Sequence, residues 1–234
     1  MSTEIDIVCQ VLKEKRESAA LSSEGISNSA IYNVFTQLVA NRKLQGDLLD
    51  FGAGKGYLSQ LLSKLSCFSS IIAIDIIADN QAADPTVEWI TWDLNNTIDT
   101  IPDQTFDIIV SAEVIEHLEN PRAIVREWHR LLRPGGTVIF STPNNESWRS
   151  LLALLFQGHF VAFGDSCYPA HITAILRKDI EHMLVEAGFS IPDFFFTDVG
   201  GIPKLPTLQW QKISGNFLKG LRYSDNLIAV SYKK

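Results

Sequence analysis

Three ionisable side chains lie close together in the stretch Glu113–His117, whose sequence is EVIEH. If this stretch is helical, positions i, i+3 and i+4 share one face, so Glu113, Glu116 and His117 would point the same way. Two carboxylates and an imidazole so placed could form a general-base pair or supply half of a divalent-metal site. His171, in the loop predicted after the fifth strand, could complete either arrangement. A purely structural role for these residues stays open at this point.

A glycine-rich loop, Asp50–Gly56 with the sequence DFGAGKG, follows the first predicted strand. Glycine permits a tight turn and lets the backbone come close to a ligand. The spacing is GxGxG, which differs from the GxGxxG of dinucleotide-binding folds and from the GxxxxGK[ST] of P-loops. The loop predicts a ligand at a strand-to-helix turn, although a plain turn would have the same sequence.

Two acidic residues follow the next two predicted strands. Asp75 ends the strand IIAID, about 20 residues after the glycines, where Rossmann-like folds place a carboxylate that accepts hydrogen bonds from ribose hydroxyls. Asp93 follows the third strand, in TWDL, and could reach an adenine amino group. Either residue alone could be a helix N-cap or a turn residue. The order of the loop and the two acids favours a nucleoside site.

Short apolar strands alternate with amphipathic helices from Gly46 onward. This alternation predicts a mainly parallel sheet with helices on both faces, and right-handed crossovers make it doubly wound. Ligands of such sheets bind beyond the carboxyl ends of the strands, where the strand order reverses. The predicted helices are Ile5–Glu17, Ala30–Arg42, Tyr57–Leu65, Pro121–Leu132 and Arg177–Ala187, and the predicted strands are Leu48–Phe51, Ile71–Ile74, Val87–Trp92, Phe106–Ser111, Thr137–Ser141, one near Phe194 and Leu227–Ser231.

Between about Gly46 and Gly188 the chain resembles the class I S-adenosylmethionine-dependent methyltransferase family. The resemblance lies in LLDFGAGKGYLSQLL, IIAID, TWDL, FDIIVSAEVIEHL, LLRPGGTVIFSTPN and LVEAGF. It implies an α/β fold, with a Rossmann-like, seven-stranded, mostly parallel and doubly wound sheet and N-terminal helices. It also implies S-adenosylmethionine as the cofactor and S-adenosylhomocysteine as the product.

The same resemblance implies a set of cofactor-binding residues. They are Asp50, Gly52, Ala53, Gly54 and Gly56 around the methionine part, Asp75 with the adjacent Ile76 at the ribose, Asp93 and Leu94 at the adenine, and Ser111 and Glu113 in the methionine pocket. Two positions depart from the family pattern. Ala53 stands where many members carry cysteine, and Ile76 stands where a polar residue is more usual.

On this resemblance we expect in-line methyl transfer to a small, hydrophobic or aromatic acceptor, with oxygen as the preferred atom. The candidate catalytic residues are Glu116, His117 and His171, with an imidazole as general base and no metal. One alternative is an RNA 2′-O-methyltransferase that holds Mg²⁺ through these three residues and Glu113, as small-RNA 2′-O-methyltransferases do. Two others are a nicotinamide-dependent oxidoreductase, which the GxGxG spacing argues against, and a non-catalytic cofactor-binding subunit.

Composition sets expectations for partners and location. The 234 residues carry a formal net charge of −7, which disfavours binding to duplex nucleic acid because that affinity comes from Lys and Arg. Cys9, Cys67 and Cys167 are widely spaced and form neither a CxxC pair nor a disulfide framework. The N-terminus carries acids where a signal peptide needs a basic region, and no apolar run is long enough to span a bilayer. These features predict a cytoplasmic protein.

Two later segments are candidates for the acceptor side. Trp148–Phe163 contains the apolar run LLALLF and is predicted to be core or a lid over the pocket. The alternative is a peripheral membrane patch, at the position of the membrane-contacting insertion of ubiquinone-biosynthesis O-methyltransferases. Asp198–Tyr223 is long for a loop and is predicted to be a pocket wall or an oligomer contact. One domain is expected, with residues 1–45 a helical cap, 46–146 the cofactor-binding core and 147–234 an acceptor-side lid with the closing strands.

Overall fold

The computed structural model describes residues 10, 11, 14, 18, 27–77 and 84–234. The predicted helix Ile5–Glu17 falls largely outside these residues, as does Cys9. In chain order the helices and strands are α1 Ser29–Asn41, β1 Gly46–Phe51, α2 Tyr57–Ser63, β2 Phe68–Asp75, β3 Val87–Thr91, β4 Phe106–Ala112, α3 Pro121–Leu131, β5 Leu132–Pro143, α4 Trp148–Gln157, α5 Arg177–Glu186, β6 Asp193–Phe196, β7 Gly201–Ile202, β8 Leu205–Gln209, α6 Trp210–Ile213 and β9 Asn226–Tyr232.

Seven of the strands form one sheet in the order β3-β2-β1-β4-β5-β9-β6. The pairs β1–β2, β2–β3, β1–β4 and β4–β5 are parallel, whereas β9 runs antiparallel to both β5 and β6. The predicted seven-stranded, mostly parallel sheet is therefore confirmed. Since the chain proceeds from β1 outward to β3 and then returns to β4 on the other side, the strand order reverses between β1 and β4.

Helices cover both faces of the sheet. Successive residues of a strand point to opposite faces, so neighbouring residues of one strand pack against different helices. Leu48 of β1 belongs to a buried cluster with residues of α1 and α2, such as Phe35. Its neighbour Leu49 belongs to a second cluster with residues of α3 and α5, including Trp128, which is fully buried. This two-sided burial explains why the central strands carry consecutive apolar residues, such as Leu48 and Leu49 of β1.

The largest difference in element bounds concerns the start of β5. The prediction ended the helix at Leu132, before Pro134 and the two glycines that follow it, and began the strand at Thr137. In the structure α3 ends at Leu131, and Leu132 is already extended because it pairs with Phe106 of β4. Local turn residues mark where a helix cannot continue, whereas the pairing partner decides where the strand begins.

Candidate active site

The candidate site lies at the carboxyl ends of β1 and β4, on either side of the reversal in strand order. Ligands of doubly wound sheets bind at this kind of position. The glycine loop leaves β1 here, and the backbone N–H groups of Gly52 and Ala53 both donate to the carbonyl oxygen of Ile74. These bonds attach the start of the loop to β2. The segment Ser111–His117 leaves β4 next to the loop.

Close packing against the exit of β4 explains why position 52 is glycine. Gly52 has φ +81°, and a Cβ atom there would lie 2.3 Å from Cγ2 of Val114. At Gly56, with φ +76°, a Cβ atom would lie 3.1 Å from the ring of Trp89. The loop therefore needs glycine at Gly52 both for its left-handed backbone and for space.

Asp75, at the end of β2, holds the glycine loop by its backbone. One carboxylate oxygen accepts from the N–H of Gly54 at 2.8 Å, and the other accepts from the N–H of Ile77 at 2.9 Å. Burial raises the pKa of Asp75, and the backbone N–H groups of Ile77, Gly54 and Ile76 oppose this rise. A carboxylate has about four lone-pair sites, so these bonds leave acceptor capacity for ribose hydroxyls.

Asp50 is a buried acid of β1 beneath the glycine loop. Its carboxyl accepts a hydrogen bond from the Ser59 hydroxyl of α2 at 2.6 Å. Burial raises the pKa of Asp50 to about 7; the Ser59 hydrogen bond lowers it, and the Asp75 carboxylate raises it. Asp50 therefore titrates near neutral pH, which makes the stability of this part of the fold depend on pH.

Asp50→Asn is expected to become more stable relative to wild type as pH rises from 5 to 8. The unfolded Asp50 loses its proton near pH 4, whereas the folded one keeps it up to about pH 7. The wild type thus loses free energy of unfolding as pH rises from 5 to 8, by roughly 3 kcal/mol, and the variant lacks this loss. Urea denaturation at several pH values measures the difference.

Asp47→Asn is the matched control for this titration. Asp47 lies near the opposite end of β1, where its hydrogen bonds with Ser70 and Arg133 lower its pKa. Its carboxylate therefore stabilises the fold above the unfolded pKa of about 4 and loses this contribution only at lower pH. The stability difference between Asp47→Asn and wild type should thus stay constant between pH 5 and 8. An Asp50→Asn advantage that is constant with pH would contradict the raised pKa of Asp50.

The residues predicted to contact adenine lie in a turn and in the hydrophobic core. Oδ1 of Asp93 accepts from the backbone and side-chain N–H groups of Asn95, both at 3.1 Å. Asp93 therefore stabilises a turn, which was the alternative to a role in adenine binding. Leu94 is buried in the cluster that contains Trp128. Ile76 is partly buried directly after Asp75. Contacts of Asp93, Leu94 and Ile76 with a cofactor stay predictions.

Buried polar atoms at the end of β4 lack partners in the described part of the chain. They are the Ser111 hydroxyl oxygen and Oε1 of Glu113. Oε2 of Glu113 accepts from Asn226 at 2.8 Å, and its backbone N–H donates to the Ser141 hydroxyl at 3.0 Å. Burial raises the pKa of Glu113 to about 7. Because buried polar groups are normally hydrogen-bonded, unpaired acceptors here suit a ligand that brings donors, such as the ammonium of a methionine moiety.

The stretch Glu113–His117 is not the regular helix that the i, i+3, i+4 argument assumed. Only Ile115–His117 forms a turn of 3₁₀-helix, and Glu113 has φ +57°. Glu113 is therefore directed toward Asn226 of β9 and does not join Glu116, His117 and His171 in one set. A left-handed residue before the turn separates the two carboxyl groups that the sequence had placed on one face.

Glu116, His117 and His171 do come together. Each offers a nitrogen or oxygen atom, and these atoms lie within 4.8 Å of one another. The imidazole rings of His117 and His171 are edge to face with centroids 4.7 Å apart. The backbone N–H groups of Ile172 and Thr173 donate to the carbonyl oxygen of Glu116, which ties the loop that carries His171 to the end of β4. We call these three residues the EHH cluster.

Burial keeps both imidazoles of the EHH cluster neutral at physiological pH. It lowers the pKa of His117 to about 4, with the nearby His171 lowering it further, and it lowers the pKa of His171. Burial also raises the pKa of Glu116 well above its usual range, and the Glu113 carboxyl adds to this rise. The cluster therefore offers imidazole lone pairs close to a carboxyl group in water-poor surroundings.

A cavity of ≈ 210 Å³ adjoins the EHH cluster. Glu113 lines it from the cofactor side and His171 from the side of the cluster. The remaining lining residues come from the exit of β5 and α4, from the turn after α4 and from the start of β9. They are Pro143, Asn144, Asn145, Ser147, Arg149, Ser150, Val161, Ala162, Asp225 and Asn226.

The segment Trp148–Phe163 borders this cavity, but α4 is not part of the core. Only Ser150 and Ala153 of α4 are buried, whereas Leu155 and Phe156 are 73% and 77% exposed. The lid interpretation thus fits the segment better than the core interpretation. In the part of the chain that the structure describes, no helix is long and apolar enough to cross a membrane.

The segment between β6 and β9 reaches the cavity through its last residue, Asp225. It contains the β7–β8 hairpin, so it has more regular structure than the predicted loop. Asp225 accepts from Arg149 and from the N–H of Gly201, both at 3.0 Å. The side-chain amide of Asn144 donates to the carbonyl oxygens of Leu221 and Ser224. These bonds hold the segment against α4 and the exit of β5.

Several residues that shape the site were not identified from the sequence. Val114 fills the space that Gly52 leaves, Ser59 binds Asp50, and Ser141 and Asn226 bind Glu113. Ser141 had a usable signal, since it lies in the family-like phrase STPN. The others depend on contacts between distant parts of the chain, which a single sequence does not display.

Comparison with known proteins agrees with this geometry. A family model described as a methyltransferase domain matches residues 28–192. The chain is 29% identical over 194 residues to a mitochondrial ubiquinone biosynthesis O-methyltransferase of Candida albicans, covering 75% of this chain and 57% of that protein. It is 28% identical over 166 residues to a probable S-adenosylmethionine-dependent methyltransferase of Mycolicibacterium smegmatis, covering 69% and 59%. The match thus spans less than two thirds of these relatives.

The fold also matches solved structures. A crystal structure of a SAM-dependent methyltransferase from Archaeoglobus fulgidus aligns with a TM-score of 0.62 at 16% identity, covering 88% of this chain and 95% of that one. At this identity the likeness shows the fold alone. Family membership rests on the domain match, which covers more than half of the chain, together with the glycine loop after β1 and the acids at the end of β2 and after β3. The chain belongs to the S-adenosylmethionine-dependent methyltransferase family, with S-adenosylmethionine as its cofactor.

Proposed function

We propose that this protein transfers a methyl group to a hydroxyl oxygen of a small-molecule acceptor bound in the cavity between α4 and β9. The observation that carries the proposal is that one cavity meets both Glu113, at the end of β4, and His171 of the EHH cluster. An acceptor held there would lie between the residues expected around the cofactor and a group able to accept a proton.

The cofactor supplies, when bound, a methyl group on a sulfonium that is already electrophilic. The protein must then position the acceptor oxygen, and positioning of this kind can contribute roughly 7–11 kcal/mol in favourable systems. An aliphatic hydroxyl also has to lose its proton as its oxygen forms the new bond to carbon. The neutral imidazole of His171 lines the cavity and can accept that proton, while the hydrogen bond from its Nδ1 to the carbonyl oxygen of Ala162 and the ring contact with His117 hold its orientation.

The size and surroundings of the cavity support a small acceptor with an apolar part. Its volume of ≈ 210 Å³ is below the roughly 300–1,000 Å³ typical of drug-sized ligands. Leu155 and Phe156 are exposed on α4, the helix whose Arg149 and Ser150 line the cavity. We include peripheral contact between this face and a lipid surface in the proposal, and the cytoplasm as the place of action. The O-methyltransferase name of the Candida albicans relative supports oxygen as the acceptor atom.

His171→Ala is expected to lower kcat by at least about 100-fold, the lower end of the effect of a general acid or base. The dissociation constant of S-adenosylhomocysteine should change by less than about threefold, because His171 lies on the acceptor side of Glu113. Turnover assays and calorimetry measure the two quantities. His182→Ala, at an exposed position of α5, is the control. Equal losses of turnover and cofactor affinity would show a structural histidine.

Transfer of labelled methyl from S-adenosylmethionine into a fractionated cell extract tests the proposed function. Label in small molecules, in an alkali-stable ether linkage, is the expected result and would supply the acceptor for identification. Label in RNA would replace the proposal with the RNA-directed alternative. Binding of S-adenosylhomocysteine without transfer to any fraction would favour a non-catalytic subunit, and a thermal shift with NAD but not S-adenosylhomocysteine would favour an oxidoreductase.

A further inference from the structure

We propose that the group of the acceptor that enters the cavity is an uncharged polyol, such as a sugar ring. In this proposal the Arg149–Asp225 pair and Asn145 bind the hydroxyl groups beside the one that is methylated. The inference rests on the proposed function, because it names the chemical class of the acceptor of that reaction. It refines the hydrophobic or aromatic acceptor that the sequence led us to expect, since an apolar part would lie outside the cavity, along α4.

The side chains around the cavity are mostly hydrogen-bonding ones. Among the described residues that line it, only Pro143, Val161 and Ala162 lack a polar or ionisable side chain, and none is phenylalanine, tyrosine or tryptophan. Pockets for organic ligands are lined predominantly by apolar and aromatic side chains, which cover the faces of a flat ring. The lining of this cavity therefore favours a ligand with polar groups on several sides over an aromatic ring.

Charge balance in the cavity favours an uncharged ligand. Arg149 is the only Arg or Lys among the described lining residues. Its Nη1 donates to Oδ2 of Asp225 at 3.0 Å, and the two side chains are 27% and 33% exposed. A carboxylate or phosphate group in the acceptor would have to compete with Asp225 for the guanidinium, and the Asp225 carboxylate would then be left unpaired and half-buried. A neutral ligand leaves the pair intact.

The paired side chains keep hydrogen-bonding capacity for hydroxyl groups. A guanidinium has five N–H groups, and a carboxylate has about four lone-pair sites. Oδ2 of Asp225 accepts from Arg149 and from the backbone N–H of Gly201, both at 3.0 Å, which fixes the carboxylate and uses two of these sites. The pair therefore presents donors and acceptors side by side. Each hydroxyl group of a polyol both donates and accepts, so two neighbouring hydroxyl groups can bond to the pair.

Asn145 is an independent observation that points to a hydroxyl group in the ligand. It is a buried residue of the cavity lining, and its Nδ2 donates to the carbonyl oxygen of Ile175 at 3.1 Å. A carbonyl oxygen only accepts, so this bond fixes which way the amide is turned. Oδ1 of Asn145 has no hydrogen-bond partner in the part of the chain that the structure describes. A buried acceptor without a partner is costly. A ligand hydroxyl would supply the missing donor, whereas a carboxylate or an ether oxygen would not.

The reacting hydroxyl group lies at His171 in this arrangement. Nδ1 of His171 lies 2.7 Å from the carbonyl oxygen of Ala162 and carries the hydrogen, so Nε2 presents a lone pair. The hydroxyl oxygen forms its bond to the methyl carbon while the bond from that carbon to the cofactor sulfur breaks, and Nε2 takes the proton and passes it to solvent. The products are a methyl ether and S-adenosylhomocysteine. Polyol hydroxyls are poorly ionised at neutral pH, so they need such a base.

Chemical identification of the labelled product tests the substrate class. The full chain is incubated with labelled S-adenosylmethionine and the small-molecule fraction of a cell extract. The product is then hydrolysed in acid, reduced, acetylated and analysed by gas chromatography and mass spectrometry. We expect the label in an O-methyl polyol. Extract treated first with periodate, which cleaves neighbouring hydroxyl groups, and then with borohydride should no longer accept methyl. A catechol would survive this treatment, because borohydride reduces the quinone that periodate forms.

The outcomes separate this inference from the proposed function. Label in a phenol ether, or an acceptor that survives periodate and borohydride, would overturn the polyol and leave methyl transfer to a small-molecule hydroxyl intact. Label in a methyl ester or on nitrogen, or no transfer to any small molecule, would overturn the proposed function and the polyol with it.

Asp225→Asn tests the recognition of the neighbouring hydroxyl groups. With the identified polyol we expect its KM to rise at least about tenfold, the effect of one hydrogen bond to a charged group, and the dissociation constant of S-adenosylhomocysteine to change by less than about threefold. The variant should also lose at least about tenfold of the preference for the polyol over its analogue without one neighbouring hydroxyl, because both changes remove the same hydrogen bond.

Arg177→Gln is the matched control for Asp225→Asn. It breaks a similarly half-buried ion pair, with Glu146, and Arg177 lies outside the described cavity lining. KM and the preference for the polyol should stay as in the wild type. An unchanged preference in Asp225→Asn, or an equal loss in Arg177→Gln, would contradict recognition by the Arg149–Asp225 pair. Circular dichroism confirms that both variants are folded, and the identity of the labelled product tests the polyol without any variant.

Discussion

Gly52→Ala is expected to lower the affinity for S-adenosylhomocysteine by at least about 100-fold. A Cβ atom at this position would lie 2.3 Å from Cγ2 of Val114, well inside van der Waals contact, and the backbone has φ +81°. Left-handed backbone alone costs a non-glycine residue about 1–2 kcal/mol. The overlap with Val114 must be relieved by moving the glycine loop away from β4, and these two elements border the cofactor site that we propose.

The variant Gly135→Ala separates the effect of left-handed backbone strain from the effect of steric overlap with a neighbouring side chain. Gly135 has nearly the same backbone, φ +80°, but a Cβ atom there would have no neighbour within 4 Å. This variant should lose a similar amount of stability from strain and bind S-adenosylhomocysteine as the wild type does. The double variant Gly52→Ala/Val114→Ala should recover part of the affinity, since it removes the overlaps with Cγ2 and Cγ1 of Val114 and leaves the backbone strain and a close contact of 3.1 Å with the Cβ atom of residue 114. Calorimetry gives all of the affinities, and an unchanged affinity in Gly52→Ala would refute the argument.

The fold was predictable because its signals are local and repeated. Each central strand is a short apolar run, and each helix presents an apolar face, so that the alternation alone indicates a parallel sheet covered on both sides. The glycine loop and the acids after the strands then follow from the rule that ligands bind at the reversal in strand order. The start of β5 at Leu132 is the element boundary that differs most from its predicted position, and it is set by pairing with Phe106 of β4.

The EHH cluster was predictable in part, for an equally physical reason. Glu116 and His117 are adjacent, so any turn keeps them close. His171 was predicted in the loop after the fifth strand and lies in the connection between α4 and α5, which follows β5 in the chain. The position of Glu113 depended on the assumption of regular helix, which its left-handed backbone overturns. The i, i+3, i+4 rule applies only inside a regular helix. Glu113 lies where β4 ends and the backbone is irregular, so the rule does not predict its direction.

The second large effect is expected from Asp75→Ala, which should weaken S-adenosylhomocysteine binding by about 100-fold or more. Asp75 accepts from the N–H groups of Gly54 and Ile77 and is also the carboxylate expected at the ribose. Hydrogen bonds to charged groups contribute about 1.5–3 kcal/mol each, and 100-fold in affinity corresponds to about 2.7 kcal/mol. Loss of two such bonds at the loop therefore suffices for the effect even before any direct contact with the ribose is lost.

Asp75→Asn distinguishes the two contributions. The amide keeps one acceptor oxygen but turns an NH₂ group toward either Gly54 or Ile77, so one backbone bond is lost and the other stays. Calorimetry with S-adenosylhomocysteine should give an affinity between those of wild type and Asp75→Ala. Asp47→Ala removes a carboxylate at the opposite end of β1 and should leave the affinity unchanged. If Asp75→Asn bound as tightly as wild type, neither the charge nor the second acceptor oxygen would matter, and Asp75 would not be the residue that joins the glycine loop to the cofactor.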